Sequence, residues 1–221
     1  MSDEMQRYYA LRAPEYEQIY FRDIPDRRRE LDAAAASIEK IAQGKTVLEL
    51  ASGTGYWTQV MSNTAERIMA VDLAPEMVRE ARKKQYQCPV ELVHGDLYEM
   101  PFERSGFDLV ALGFWMSHHP RQRFGTLFDV LVYGLKPDGK IWVVDNNPPA
   151  EGPELKFVRT DEHGNNYKQR RLNDGREFVV LKNYFSEAEL KVLFSTRFDI
   201  ESMVYGTYYW SSLLSLKTSA A

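Results

Sequence analysis

The chain has 221 residues, 44% of them apolar, and a formal net charge of −4, enough for one α/β core and without general attraction for nucleic acid. A single cysteine, Cys88, excludes a disulfide framework within the chain and fits a reducing compartment. No run reaches the roughly 18 apolar residues of a membrane helix, and the start Met1-Ser-Asp-Glu-Met-Gln-Arg7 is too polar for a secretion signal, so a cytoplasmic protein without membrane insertion is expected.

Residues 1–43 read as a helical cap. Met5 to Phe21 carries Tyr8, Tyr9, Tyr16, Tyr20 and Phe21, and Asp26 to Gln43 reads as a second helix ending at Gly44. Tyr9 and Tyr16 are seven apart and would share one helical face.

Residues 44–145 read as a core of alternating strands and helices. The first strand, in Thr46-Val-Leu-Glu-Leu-Ala-Ser-Gly-Thr-Gly-Tyr-Trp57, passes Glu49 and breaks at Ala51, Gly53 and Gly55, where small residues let the backbone turn tightly and approach a ligand. Such a pair of glycines also serves plain strand-to-helix turns, so the following strands carry the argument. Arg67 to Asp72 ends in a carboxylate about 20 residues beyond Glu49, the offset at which an acidic group reaches ribose hydroxyls. Val90 to Asp96 ends in Gly-Asp, Phe107 to Phe114 forms a fourth strand, and Gly139 to Asp145 a fifth after the turn Leu135-Lys-Pro-Asp-Gly139. Pro75 to Gln85 and Arg121 to Leu135 read as intervening helices. This alternation implies a doubly wound, mostly parallel sheet with ligands at the carboxyl ends of its strands. A nicotinamide dinucleotide is disfavoured, because the third glycine position is Thr58 and bulky Tyr56 and Trp57 fill the space a pyrophosphate would need.

After the fourth strand comes Gly113-Phe-Trp-Met-Ser-His-His-Pro120. His118 or His119 is placed to take a proton from a hydroxyl or amine, since imidazole titrates near neutrality. Their competing readings are a loop-packing His118 and a solvent-facing His119. No metal site is expected, because adjacent histidines diverge and no carboxylate or cysteine stands at ligand spacing.

Residues 146–185 read as an inserted β-hairpin above the carboxyl ends of the strands, turning at Asn173-Asp-Gly175. Asn146-Asn-Pro-Pro149 follows the fifth strand and ends in Ala150, which does not suit the stacking of a flipped base. Arg170 and Arg171 alternate along a strand, so at most one faces the pocket, where it would recognise a carboxylate or phosphate; for either taken singly the outward, solvated position is the favoured reading. Residues 186–221 complete the single domain with a helix capped by Ser186 and Glu189, then two strands, Phe198 to Tyr205 and Tyr208 to Leu216.

With these residues in place, the chain resembles the class I S-adenosylmethionine-dependent methyltransferases, specifically the ubiquinone/menaquinone-methyltransferase-like small-molecule group. Glu49-Leu-Ala-Ser-Gly-Thr-Gly55, Asp72, Gly95-Asp96-Leu97, Phe107-Asp108 and the Leu135-Lys-Pro-Asp-Gly turn match that family's ordered motifs over about Gln43 to Asp145, and Phe-Trp-x-Ser-His recurs in the group. The resemblance implies a seven-stranded Rossmann-like sheet closed by an antiparallel strand pair, with S-adenosylmethionine as cofactor and S-adenosylhomocysteine as product. It assigns Ala51, Gly53, Gly55 and Glu49 to the methionine end, Asp72 to the ribose, Leu73 and Met77 to the adenine faces, and Asp96 and Leu97 to its amino edge. Tyr9 and Tyr16 would close over the cofactor, with Phe114 beside it. Trp115, His118, Arg170 and Tyr184 would border a small, partly apolar organic acceptor, methylated by in-line displacement. The alternative is a protein of the same fold that binds the cofactor or a partner without catalysis.

Overall fold

The structure is a computed structural model describing residues 3–21, 23–149 and 156–217; Met1, Ser2, residues 150–155 of the insertion and residues 218–221 of the C-terminal segment lie outside the described residues. The first helix is shorter than the sequence suggests: α1 (Asp3–Arg12) gives way to a 3₁₀ segment, Ala13–Ile19. Pro14 is the physical reason, because it has no N–H to donate and its ring crowds the preceding turn. The second cap helix is α2 (Pro25–Ile41).

The core follows as β1 (Thr46–Leu50), α3 (Tyr56–Ser62), β2 (Arg67–Asp72), α4 (Pro75–Ala81), β3 (Val90–His94), β4 (Phe107–Gly113), α5 (Phe124–Gly134) and β5 (Leu135–Asn146). Strands β6 (Arg159–Thr160), β7 (Asn166–Arg171) and β8 (Glu177–Leu181) come next, then α6 (Glu187–Phe194), β9 (Phe198–Tyr205) and β10 (Tyr209–Leu216). One seven-stranded sheet has the order β3-β2-β1-β4-β5-β10-β9. Its first five strands are parallel, while β10 pairs antiparallel with both β5 and β9.

Central β1 is buried along its length because both of its edges are paired and both faces are covered. Alternation sorts its side chains: Val47 packs with Leu31 and Ile38 of α2 and Trp57 and Met61 of α3, while Leu48 and Leu50 pack with Leu127, Phe128 and Leu131 of α5 and with Leu190 and Phe194 of α6. The expected capping box at α6 is present in both directions. Among the described residues, no helix is long and apolar enough to cross a membrane.

The insertion is larger than a hairpin. Strands β6, β7 and β8 form a separate three-stranded antiparallel sheet. The extra strand is held by Asp161, whose carboxylate accepts from the backbone N–H groups of His163 (3.0 Å) and Asn165 (2.8 Å), a local Asx turn. Met5 and Tyr8 of α1 pack on Leu172, Phe178, Val180 and Leu181 of this sheet. Cap and insertion therefore meet above the carboxyl ends of the large sheet, and the space beneath them forms the site.

Candidate functional site: two clefts joined at Tyr9, Tyr16 and Phe114

The first cleft opens where β1, β2, β3 and β4 end. Ala51 and Gly53 line it from the turn after β1; Asp72, Leu73 and Met77 from β2 and α4; Asp96 and Leu97 from the segment after β3; and Phe114 from that after β4. Tyr9 and Tyr16 cover it. Their rings stand 6.2 Å apart although they lie on different elements, because the break at Pro14 leaves both facing α4.

The backbone here is bent where it meets the cleft. Ala51 and Phe114 have φ of 52° and 55°, left-handed values that cost a residue with a Cβ on the order of 1–3 kcal/mol. Gly53 has φ 58°, a left-handed value that favours glycine, and a Cβ there would stand 3.9 Å from the Tyr16 ring. Its N–H donates to Asp72 Oδ2 at 2.8 Å, while Oδ1 accepts from Ala74 N–H at 2.8 Å. Burial raises the pKa of Asp72, and these two backbone donors oppose the rise. Asp96 caps the short 3₁₀ turn Leu97–Glu99, accepting from Tyr98 N–H at 2.9 Å.

Two residues assigned to this cleft by sequence do not line it. Glu49 is 1% exposed inside the sheet, hydrogen-bonded by Thr58 Oγ1, and burial pushes its pKa up to about 8. It stands behind the cleft as a largely neutral carboxyl at neutral pH, not as a charge at its wall. Gly55 begins α3 with φ 80°, and a Cβ there would meet Tyr86 Oη at 2.6 Å, so its glycine serves the turn and packing.

The second cleft lies between the cap, the insertion and the ends of β5 and β10, and Tyr9, Tyr16 and Phe114 border it as well as the first. His118 and Tyr184 line it. His118 Nδ1 lies 2.7 Å from the carbonyl oxygen of Leu181, which can only accept; Nδ1 therefore carries the proton and Nε2 the lone pair. Burial lowers the His118 pKa, and the Lys182 ammonium lowers it further. The Tyr9 ring packs edge-on against this imidazole at 5.6 Å.

His119 and Trp115 depart from the expectation. His119 is 2% exposed and lines neither cleft; its ring stacks on Trp115 at 4.9 Å and its Nδ1 lies 3.1 Å from the Tyr98 hydroxyl. Burial brings its pKa down to about 4, so it is a neutral packing group, neither solvent-facing nor placed as a base. Trp115 lines the first cleft rather than the acceptor side. Arg170 and Arg171 both border the second cleft, against the expectation that at most one would. Register explains their difference: Arg170 is opposite Phe178, on the face that packs against α1, whereas Arg171 is exposed on the other face beside Glu177.

Sequence reasoning passed over Arg12 and Lys182, both of which line the second cleft. Arg12 is four residues from Tyr8 and from Tyr16, and its guanidinium is hydrogen-bonded to the Tyr8 hydroxyl and sits 5.3 Å from the Tyr16 ring centre. Lys182 follows the apolar run Phe178-Val-Val-Leu181 and is 3% exposed. Its ammonium donates to Ser117 Oγ at 2.6 Å and lies 3.5 Å from Asp145 Oδ1. Asp145, fully buried at the end of β5, accepts from Ser117 N–H at 2.7 Å, Ser117 Oγ at 2.8 Å and Asn146 N–H at 2.7 Å. These donors and the ammonium hold its pKa below the ordinary carboxylate value despite burial.

Residues 47–139 match the family model described as a methyltransferase domain. A demethylmenaquinone methyltransferase of Oceanobacillus iheyensis is 28% identical over 116 residues, a match spanning 50% of this chain and 48% of that relative. A solved structure described as a DhpI-SAH complex superposes with a TM-score of 0.76 at 28% identity, covering 97% of this chain and 96% of the other. A DhpI-SAM-HEP complex gives 0.74 at 28% identity, covering 96% of each.

Proposed function

We propose that this chain, whose fold and matched domain are those of the class I S-adenosylmethionine-dependent methyltransferases, transfers the cofactor's methyl group to a small organic acceptor held in the second cleft. The observation that carries the reading is that Tyr9, Tyr16 and Phe114 border both clefts, so the two adjoin at these three side chains. The residues of the first cleft fit the cofactor. Asp72 lies where a ribose diol would donate to it, Leu73, Met77 and Leu97 offer apolar faces to an adenine, and Gly53, without a side chain, lets a ligand approach its backbone.

When bound, S-adenosylmethionine supplies an electrophilic sulfonium methyl. The chain's own contribution is mainly positional, because methyl transfer needs donor and acceptor in line and water excluded. Tyr9 and Tyr16 cover the junction and present ring faces suited to a cationic sulfur. His118 is oriented by Leu181 and kept neutral by burial, so Nε2 is the group on the acceptor side that receives a proton from a hydroxyl or amine.

Calorimetric titration with S-adenosylmethionine and S-adenosylhomocysteine tests the first step. Release of S-adenosylhomocysteine in a screen of small acceptors then separates an enzyme from a binder. Absence of binding by both ligands would sink the reading.

A further inference from the structure

We propose that the second cleft recognises its ligand through an anionic group, a carboxylate or phosphate, bound between Arg12, Arg170 and Lys182. Calling that ligand the methyl acceptor rests on the reading above; the anion site itself does not.

The three cations come from separate parts of the chain. Arg12 ends α1, Arg170 lies on the α1-facing side of β7, and Lys182 follows β8. They converge on one cleft; burial is the main cause that lowers the Lys182 pKa, Asp145 opposes it, and Arg170 and Arg12 are close enough to add smaller contributions against the charged form. Like charges gathered in a half-buried space repel unless a counter-charge joins them.

Among the described residues that counter-charge is incomplete. Asp145 faces Lys182, but its oxygens are already engaged by Ser117 and Asn146. Arg12 meets the Tyr8 hydroxyl and the rings of Tyr8 and Tyr16 rather than a carboxylate. Arg170 makes no ion pair with a carboxylate among the described residues. Among the described residues, Glu15 is the single carboxylate bordering the cleft, which also holds Arg27 and Arg171. A guanidinium presents a planar fork matched to two oxygens of one oxyanion, so two such forks above an ammonium form a receptor for a small anion. A nucleic-acid backbone is a poor fit, because the site lies beneath the cap and the chain carries a net charge of −4.

The test measures thermal stability of the full chain, with and without S-adenosylhomocysteine, titrated with inorganic phosphate or acetate against sodium chloride at equal ionic strength. A saturable rise in Tm beyond that given by chloride is expected from at least one of the two anions. A larger response to phosphate assigns a tetrahedral group and a larger response to acetate a carboxylate; either supports the site. Arg170→Met and, independently, Arg12→Gln are each expected to weaken the apparent anion affinity by about tenfold or more, as loss of a charged hydrogen-bond partner does. Because each removes a repelling cation, neither is expected to lower Tm in chloride by more than a few degrees, which separates lost recognition from misfolding. The proposal is overturned if neither anion exceeds chloride in the parent chain, or if both variants respond as the parent does. A chain that binds S-adenosylhomocysteine but fails this test loses only the anion site; one that responds to anions but binds no S-adenosylhomocysteine loses the methyl-transfer reading.

Discussion

His118 donates from Nδ1 to the carbonyl oxygen of Leu181 at 2.7 Å, joining the turn after β4 to the end of β8. The bond fixes the tautomer and aims Nε2 away from Leu181, so one ring is both a tie between the two sheets and the base of the proposed reaction.

If His118 receives the acceptor's proton, His118→Asn lowers kcat by about 10²-fold while S-adenosylhomocysteine affinity stays within about twofold of the parent. Because burial depresses its pKa, the neutral imidazole persists below the usual histidine range. The acid limb of the kcat profile should therefore fall below pH 6.5 rather than at it. An acid limb centred at the ordinary histidine value would show that another group titrates.

Asp72 supports the turn through Gly53 and Ala74 and faces the first cleft. Asp72→Ala should weaken S-adenosylhomocysteine by about tenfold to a hundredfold, on the scale of one or two hydrogen bonds to a charged acceptor. Calorimetry reads the loss, and circular dichroism checks that the fold survives.

Glu49 imposes a pH dependence on stability. Its folded pKa is raised from 4.5 to about 8, so between those values the folded chain keeps a proton that the unfolded chain has released. Stability from this group is complete below pH 4.5 and is lost as pH rises through about 8. His118 and His119, with lowered values, act in the opposite sense, an effect that fades above the ordinary histidine value of 6.5. Urea unfolding between pH 6.5 and 8, read as the difference between the parent and Glu49→Gln, therefore reports this carboxyl. The parent should lose stability across that interval, and Glu49→Gln should flatten the slope.

Lys182 and Asp145 are 3% and 0% exposed, and removing either leaves the other buried with less compensation. Lys182→Met and Asp145→Asn should each destabilise by about 3–5 kcal/mol, with the double variant costing less than the sum. Additive losses in urea unfolding would mean that the two groups act independently.

Much of the large sheet was legible in the sequence, because its strands are apolar runs that end in punctuating glycines and carboxylates. Ala51, Gly53, Asp72, Leu73, Met77, Asp96 and Leu97 could be named as neighbours because their motifs resemble a known family's, and a parallel sheet brings successive strand ends to one edge. The second cleft was far less legible. Arg12 and Lys182 lie 170 residues apart in numbering, and neither falls in a motif. Trp115 and His119 looked like acceptor-side groups, but the turn after β4 stacks one on the other beside the first cleft.

The sequence by itself determined the doubly wound architecture and the edge where the cofactor motifs gather, because hydrophobic period and turn chemistry act over a few neighbouring residues. Only the tertiary structure decided that Pro14 breaks the cap yet leaves Tyr9 and Tyr16 together, that Glu49 is buried behind the cleft, and that Arg12, Arg170 and Lys182 converge. Those outcomes depend on how the cap packs against a three-stranded insertion, and contacts between distant segments leave no periodic trace in either one.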